Sequence, residues 1–149
     1  MPSQPMLIIN GSSNPPVSHP RTTPNLLPCR INHDGPVEPS AAYWSPTSNP
    51  DGTKTAYFRG RRLLGKSVPI PSEYVGVVVE KQLPKNDLVD EAGEEEVHLG
   101  RLETKAEFAE FVVWGHETVN DAGNDVYTRM EEWIGVAESI HAFGEGEKK

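Results

Sequence analysis

The chain has 149 residues, which is enough for one domain and short for two. Its net charge of −8 is divided unevenly: residues 1–66 carry seven Lys or Arg against three Asp or Glu, or +4, and residues 67–149 carry seven against nineteen, or −12. A basic nucleic-acid footprint over the whole chain is therefore excluded, while a local basic strip in the first half remains compatible with these counts.

The composition predicts one folded domain between two flexible ends. Eleven of the fourteen prolines lie in the first fifty residues, and the only apolar run before residue 25 is Met6–Ile9. Such a segment buries too little surface to offset the entropy of ordering it, so residues 1–24 are predicted to be a disordered arm. We expect a single domain over 25–143, interrupted by an acidic loop at about 83–104, and a flexible tail over 144–149.

Short strands are predicted in the first half of the domain. Leu26–Ile31, Ala41–Trp44 and Thr53–Leu64 have strand composition, and turn sequences follow at His33–Pro36 and Asn49–Gly52. The third strand contains YFRGRRLLG, residues 57–65. Alternation along one strand would place Tyr57, Arg59 and Arg61 on one face and Phe58, Gly60 and Arg62 on the other.

The second half contains two more predicted strands and a helix. Tyr74–Glu80, YVGVVVE, is nearly all β-branched, which predicts a strand buried on both faces, with Gly76 at a bulge or a close backbone approach. Phe108–Glu117 is predicted to be a strand as well. A capping box at Thr128–Glu131 opens a helix to about residue 143, and the residues at helical spacing on its apolar face are Met130, Trp133, Ile134, Ala137 and Ile140.

The motifs of common catalytic sites are missing from the sequence. The single cysteine, Cys29, excludes an internal disulfide and a thiolate zinc site, and LLPCRI predicts that it is a small buried apolar residue. The five histidines show no metal-ligand spacing, and there is no nucleophile elbow, phosphate loop or dinucleotide fingerprint. We therefore predict a protein that is not itself an enzyme and holds no cofactor.

Five segments in a fixed order carry a resemblance to a known family. They are LLPCRINHDGP (26–36), AYFRGRRLLG (56–65), VPIPSEYVGVVVE (68–80), FAEFVVWGHET (108–118) and EWIGVAESIHAF (132–143). The chain resembles the C subunit of eukaryotic type 2 ribonuclease H, and its proline-rich arm and short insert look more like those of fungal members. The chain departs from the family pattern at three places. Tyr43–Trp44 occupy the position of a Phe-Phe-like pair, and Leu64 and His116 differ from the residues common in relatives.

The resemblance implies a non-catalytic subunit of a nuclear heterotrimer. The complex would cleave the RNA strand of RNA–DNA hybrids and remove single ribonucleotides from DNA, with the catalytic carboxylates and Mg²⁺ in the A subunit. The expected fold is mostly β with a C-terminal helix, and its strands would enter a triple β-barrel intertwined with the B subunit. Nucleic acid would be reached only through the complex, and no membrane is involved.

The sequence and the resemblance together nominate a set of contact residues. Subunit-interface or barrel positions are predicted at Leu26, Leu27, Phe58, Arg59, Arg61, Leu63, Tyr74, Val75, Val77, Val79 and Trp114, and backbone-critical positions at Gly35, Gly60 and Gly76. The arginines of 57–65 could instead pair with acidic residues of the second half. The alternative function is an autonomous β-barrel that binds single-stranded nucleic acid through Tyr57, Phe58, Arg59 and Arg61.

Overall fold

A computed structural model describes residues 7–10, 18–38, 40–82, 100–121 and 123–142. The chain divides into two compact units, the first bounded by Met1–Thr22 and Val75–Phe108 and the second by Thr23–Tyr74 and Ala109–Lys149. The predicted class, mostly β with a C-terminal helix, is confirmed. The predicted boundaries of arm, domain and tail stay predictions, and most of the acidic loop and all of the tail lie outside the described residues.

Unit 1 is built around a three-stranded sheet in the order β1-β7-β6. Strand β1, Leu7–Asn10, pairs in parallel with β7, Gly100–Phe108, and β6, Gly76–Gln82, pairs with β7 in antiparallel register. The register shifts between Val78 and Val79, so the sheet is irregular there. Strand β1 was not predicted, because a four-residue run among prolines gives too weak a signal without the neighbouring strand that pairs with it.

Unit 2 contains a five-stranded sheet in the order β2-β8-β5-β4-β3. Its strands in chain order are β2 Asn25–Leu26, β3 Thr47–Ser48, β4 Lys54–Phe58, β5 Arg61–Pro69 and β8 Glu110–His116. A helical turn, α1 Ser40–Tyr43, precedes β3, and a 3-10 turn at Tyr127–Arg129 leads into α2, Met130–His141. None of the helices among the described residues is long and apolar enough to cross a membrane.

The main hydrophobic cluster of unit 2 lies on one face of this sheet, and Val68, Phe111 and Val113 are buried on the other. Ala56, Leu63, Val112 and Trp114 are buried together, and Leu27, Trp44 and Phe58 pack against them. Trp44 meets the rings of Trp114 and Phe58 edge-on, with centroids 5.0 and 6.2 Å away. These perpendicular arrangements place a ring edge against an electron-rich face, which is the favourable geometry for aromatic pairs.

Trp114 is the largest fully buried side chain of this core, and contacts on two sides fix its position. It is 1% exposed, and its indole N–H donates to Oδ1 of Asn25 at 2.9 Å. A Cβ added to Gly65 on the paired strand would lie 2.8 Å from the Trp114 ring, so the ring rests directly on that backbone. The strands on both sides of β8 therefore hold this ring: β5 packs against it, and β2 accepts its one hydrogen bond.

Three predictions of secondary structure in the first half are wrong in detail. The segment after Leu26 is irregular to residue 38, and residues 40–43 form the helical turn α1 in place of a strand. Thr53–Leu64 is a hairpin rather than one strand, because Arg59 and Gly60 turn the chain. The predicted faces are therefore wrong: Arg59 and Gly60 lie in no strand, Arg61 shares a face with Phe58, and Arg62 shares one with Tyr57.

Two predictions in the second half also need correction. Residues 100–104 of the predicted acidic loop belong to β7. The burial on both faces expected for 74–80 occurs instead in β8, where Phe111 to Gly115 are buried one after another. The physical reason is position: β8 lies between β2 and β5, whereas β6 is at an edge of its sheet.

The C-terminal helix forms as predicted, but its start is different. Thr128 and Glu131 do not make the predicted capping box, because no side chain caps the N-terminus of α2. Asp125 takes that role for the preceding 3-10 turn, since its Oδ1 accepts from the backbone N–H groups of Tyr127 and Thr128. The predicted end at Gly144 lies outside the described residues.

Candidate functional site

The arginine-rich hairpin between β4 and β5 is the most basic feature of unit 2. Arg59 and Gly60 have φ of 51° and 76°, so both central residues of this two-residue loop are left-handed, as a type I′ turn requires. Glycine reaches this region without a Cβ penalty, whereas arginine does so at some cost. Above the turn, the Arg59 guanidinium lies 5.1 Å from the centroid of the Phe58 ring.

The three arginines of the hairpin point in different directions. Arg61 faces Phe58 across the strand pair, and Arg62 faces Tyr57 on the opposite side of the sheet. Within the residues that the structure describes, none of the three makes an ion pair with a carboxylate. Pairing with acids of the second half, one of the predicted alternatives, is therefore not seen in the described part of the chain.

An open cavity of about 290 Å³ lies where the core of unit 2 reaches the surface. Its lining residues are Pro28, Cys29, Phe58, Arg61, Leu63 and His116. Leu63 and His116 are paired across β5 and β8, and Nη1 of Arg61 lies 3.4 Å from Nε2 of His116. Cys29 is exposed here, so the prediction that it is buried is wrong. The cavity thus has an apolar floor and one cation, Arg61, at its rim.

The valines predicted to be interface residues lie in or just before β6, an edge strand of unit 1. Val75 is 68% exposed, and Val77, Val78 and Val79 are 37–40% exposed. They do not belong to the hydrophobic core of the described chain. Their large apolar exposure on an edge strand is a feature that soluble proteins ordinarily cover.

The β6–β7 pair also carries a small ionic network. Lys105 Nζ lies 2.9 Å from Glu103 and 3.2 Å from Glu80, and Gln82 donates to Glu103 at 2.7 Å. The hydrogen bonds from Lys105 and Gln82 lower the pKa of Glu103, and those to Glu103 and Glu80 raise the pKa of Lys105. All of these groups are exposed to solvent, so the network sets the charge of the surface more than its stability.

The helix α2 presents an exposed apolar stripe. Trp133 is 61% exposed, and Val136 and Ile140 follow it at spacings of three and four residues with similar exposure. The side chain of Tyr74 holds the helix to the rest of unit 2, because its hydroxyl donates to Glu138 at 2.6 Å. That hydrogen bond raises the pKa of Tyr74. None of the described residues of α2 is buried.

The remaining nominated residues separate into core and backbone positions. Leu63 and Trp114 are buried, and Leu26 and Leu27 are half-buried beside β8. Gly35 has a φ of 103°. A Cβ on Gly76 would collide with the Phe108 ring, so this glycine allows the opposite strand to approach closely.

Two residues that the fold brings to these places carry no signal in the sequence pattern. Asn25 supplies the acceptor for Trp114 from 89 positions away, and a lone asparagine before LLPC has nothing to distinguish it. His116 stood out only as a departure from the family pattern. Its place beside Arg61 depends on the register of β5 with β8.

No group of three or more His, Cys, Asp or Glu residues able to hold a metal ion occurs in the described ranges. Asp34, the acid of the DGP segment, is exposed in the irregular stretch before α1. The described surfaces are thus suited to contact with other molecules: an apolar strand edge, an apolar helix stripe, and a basic hairpin beside a cavity.

Comparison with known proteins gives a consistent match. The model of the family described as "Ribonuclease H2 non-catalytic subunit (Ylr154p-like)" matches residues 23–140. The C subunit of ribonuclease H2 from Bos taurus is 31% identical over 137 residues, covering 79% of each chain, and that from Mus musculus is 30% identical over 135 residues, covering 79% of this chain and 80% of its own. An uncharacterised Schizosaccharomyces pombe protein is 30% identical over 122 residues, covering 78% and 80%.

Proposed function

The chain belongs to the family of ribonuclease H2 non-catalytic subunits, and from this premise we propose that it is the structural C subunit of a nuclear heterotrimer. In this proposal it pairs with a B subunit, docks on a catalytic A subunit, and supplies no catalytic group or metal of its own. The assembled complex cleaves RNA in RNA–DNA hybrids and removes ribonucleotides misincorporated in DNA, with Mg²⁺ in the A subunit.

The observation that carries this proposal is the valine-rich edge of unit 1. Val75, just before β6, and Val77–Val79 within it expose apolar surface, and the second edge of β6 has no strand beside it among the described residues. A strand from the B subunit would supply the missing ladder bonds and cover the valines, as the shared triple barrel implied by the family resemblance requires.

The stripe on α2 offers a separate surface for the A subunit. Trp133, Val136 and Ile140 lie in a row on a helix that buries none of its described residues. Tryptophan is among the residue types most enriched at interface hot spots. A central subunit needs two contact surfaces, and one strand edge and one helix stripe meet that need.

Co-expression with candidate A and B subunits tests the proposal. We expect a trimer on size exclusion, and cleavage of a duplex with one embedded ribonucleotide only when all three chains are present. The double substitution Val77→Lys with Val79→Lys should abolish recovery of B, because it places two charges on the strand edge. Ser48→Lys, on the exposed edge strand β3, is the matched control and should leave assembly intact.

The helix is tested separately in the same system. Trp133→Ala should weaken binding of A by about 30-fold, the equivalent of a hot-spot loss of roughly 2 kcal/mol. Glu131→Ala lies two residues away, about 200° around the helix, and should have little effect. A trimer that forms normally with both sets of variants would refute the assignment of these surfaces.

A second function is favoured by one specific observation. Arg59, Arg61 and Arg62 make no carboxylate ion pair in the described chain, and Tyr57 is 63% exposed beside them. An autonomous module for single-stranded nucleic acid would use such groups. It predicts a stable monomer whose affinity for an oligonucleotide falls steeply with salt, which fluorescence anisotropy measures directly.

A further inference from the structure

The cavity beside the basic hairpin is lined by none of the residues assigned above to the valine-rich strand edge or to the helix stripe. On the shared face of β4, β5 and β8, the core residues Ala56 and Leu63 are followed outward by Phe58, Arg61 and His116. The cavity is therefore the open end of the hydrophobic core of unit 2, with Pro28 and Cys29 along one wall.

The size of the cavity limits what can enter it. At about 290 Å³ it falls just under the range of about 300–1,000 Å³ that is typical of small-molecule sites. One apolar side chain fits this space better than a whole cofactor or nucleotide. The apolar walls formed by Pro28, Phe58 and Leu63 favour such a group because its burial removes apolar surface from water.

The rim of the cavity selects for negative charge. Nη1 of Arg61 donates toward Nε2 of His116 at 3.4 Å, so Arg61 is the cation at the mouth, and both side chains are exposed. Arg61 makes no ion pair with a described carboxylate, so its forked donors are available to a carboxylate from outside. Arg59 lies close by and adds to the positive field.

We propose that this cavity is a docking site for an acidic segment of a partner polypeptide, with an apolar side chain in the cavity and a neighbouring carboxylate on Arg61. A single-stranded nucleic acid fits less well. The Phe58 ring is in perpendicular contact with Trp44 at 6.2 Å and lies under Arg59 at 5.1 Å, which leaves little of the ring for a stacked base.

The chain carries its own reporter for this site. Cys29 is the only cysteine in the sequence, is exposed, and lines the cavity. Its rate of alkylation by iodoacetamide, followed by peptide mass spectrometry, therefore measures whether the cavity is open. The probe is the peptide N-acetyl-Leu-Asp-Glu-amide, and N-acetyl-Leu-Asn-Gln-amide is its uncharged counterpart.

The acidic probe at millimolar concentration should slow alkylation of the full chain at least fivefold, and the uncharged peptide should not. Arg61→Gln should abolish the protection. Arg62→Gln, the next residue on the opposite face of the same strand, is the matched control and should retain it. Thermal unfolding of both variants checks that each remains folded.

If the chain is purified only with its partner subunits, the same rates are measured on the complex. If a partner segment already occupies the cavity, Cys29 is alkylated slowly in the complex. Arg61→Gln should then raise the alkylation rate, and Arg62→Gln should leave it unchanged. Equal protection by both peptides, equal rates in both variants, or protection by an oligothymidylate in place of the acidic peptide would each overturn the proposal. None of these results depends on whether the heterotrimer forms.

Discussion

Asn25→Ala should destabilise unit 2 through a tryptophan that it does not itself replace. The Trp114 indole N–H donates to Asn25 Oδ1 at 2.9 Å, and Trp114 is 1% exposed. Removing the acceptor leaves a buried donor without a partner, which typically costs about 1–3 kcal/mol. For a chain of this size, each kcal/mol corresponds to roughly 2–4 °C in Tm.

The reference background for this prediction is Trp114→Phe. A phenyl ring has no N–H, so Asn25→Ala should cost less than about 0.5 kcal/mol there, apart from loss of the bond from its amide to the Thr23 carbonyl. Both pairs of variants are compared by urea unfolding of the full chain, monitored by circular dichroism. The dependence of the free energy of unfolding on urea concentration should be the same in all variants.

The double-mutant cycle separates this explanation from simpler ones. A coupling of about 1 kcal/mol or more between Asn25 and Trp114 is expected if the hydrogen bond is responsible. Equal costs of Asn25→Ala in the two backgrounds would refute the reasoning, because the loss would then belong to β2 or to Thr23. A single-variant cost near zero would show that water satisfies the indole N–H.

Three further perturbations follow from the described contacts. Gly76→Ala should lower the free energy of unfolding by about 1–3 kcal/mol, because its Cβ would collide with the Phe108 ring; urea unfolding measures it. The hydrogen bond to Glu138 raises the pKa of Tyr74. The contribution of this bond to the free energy of unfolding is therefore present below about pH 10 and is lost as pH rises through the folded pKa. Ultraviolet titration, with Tyr74→Phe as the reference, should find the midpoint of Tyr74 above 10. Hydrogen bonds from the side chain and backbone N–H of Thr53 lower the pKa of Asp51. The contribution of Asp51 to the free energy of unfolding is therefore present above about pH 4 and is lost as pH falls through the folded pKa. A carboxyl midpoint at or above 3.8 in an NMR titration would contradict this.

The element types were largely predictable from local pattern. The β-branched run after Tyr74, the apolar run before Gly115 and the helical spacing from Met130 each specify their own secondary structure without reference to a partner. The sequence alone also showed that the motifs of common catalytic sites are missing and that the family segments occur in a fixed order. These features depend on residues near one another in the chain.

The hairpin at Arg59 shows where local pattern failed. Strand composition on both sides of FRGR predicted one continuous strand, since Arg59–Gly60 lacks the Asn-Gly or Asp-Gly that usually marks a type I′ turn. Only the pairing of Phe58 with Arg61 shows that the chain reverses there. The face on which each arginine lies changed with that reversal.

Local sequence was sufficient to specify the family, the fold class and the nature of most elements, because periodicity and turn chemistry act over a few residues. Long-range strand pairing decided which apolar strand is buried. Both Val77–Val79 and Val112–Trp114 are apolar runs, yet the second lies inside a sheet and the first at an edge. Burial depends on neighbours that are distant in sequence, and so does the meeting of Arg61 with His116 over the cavity.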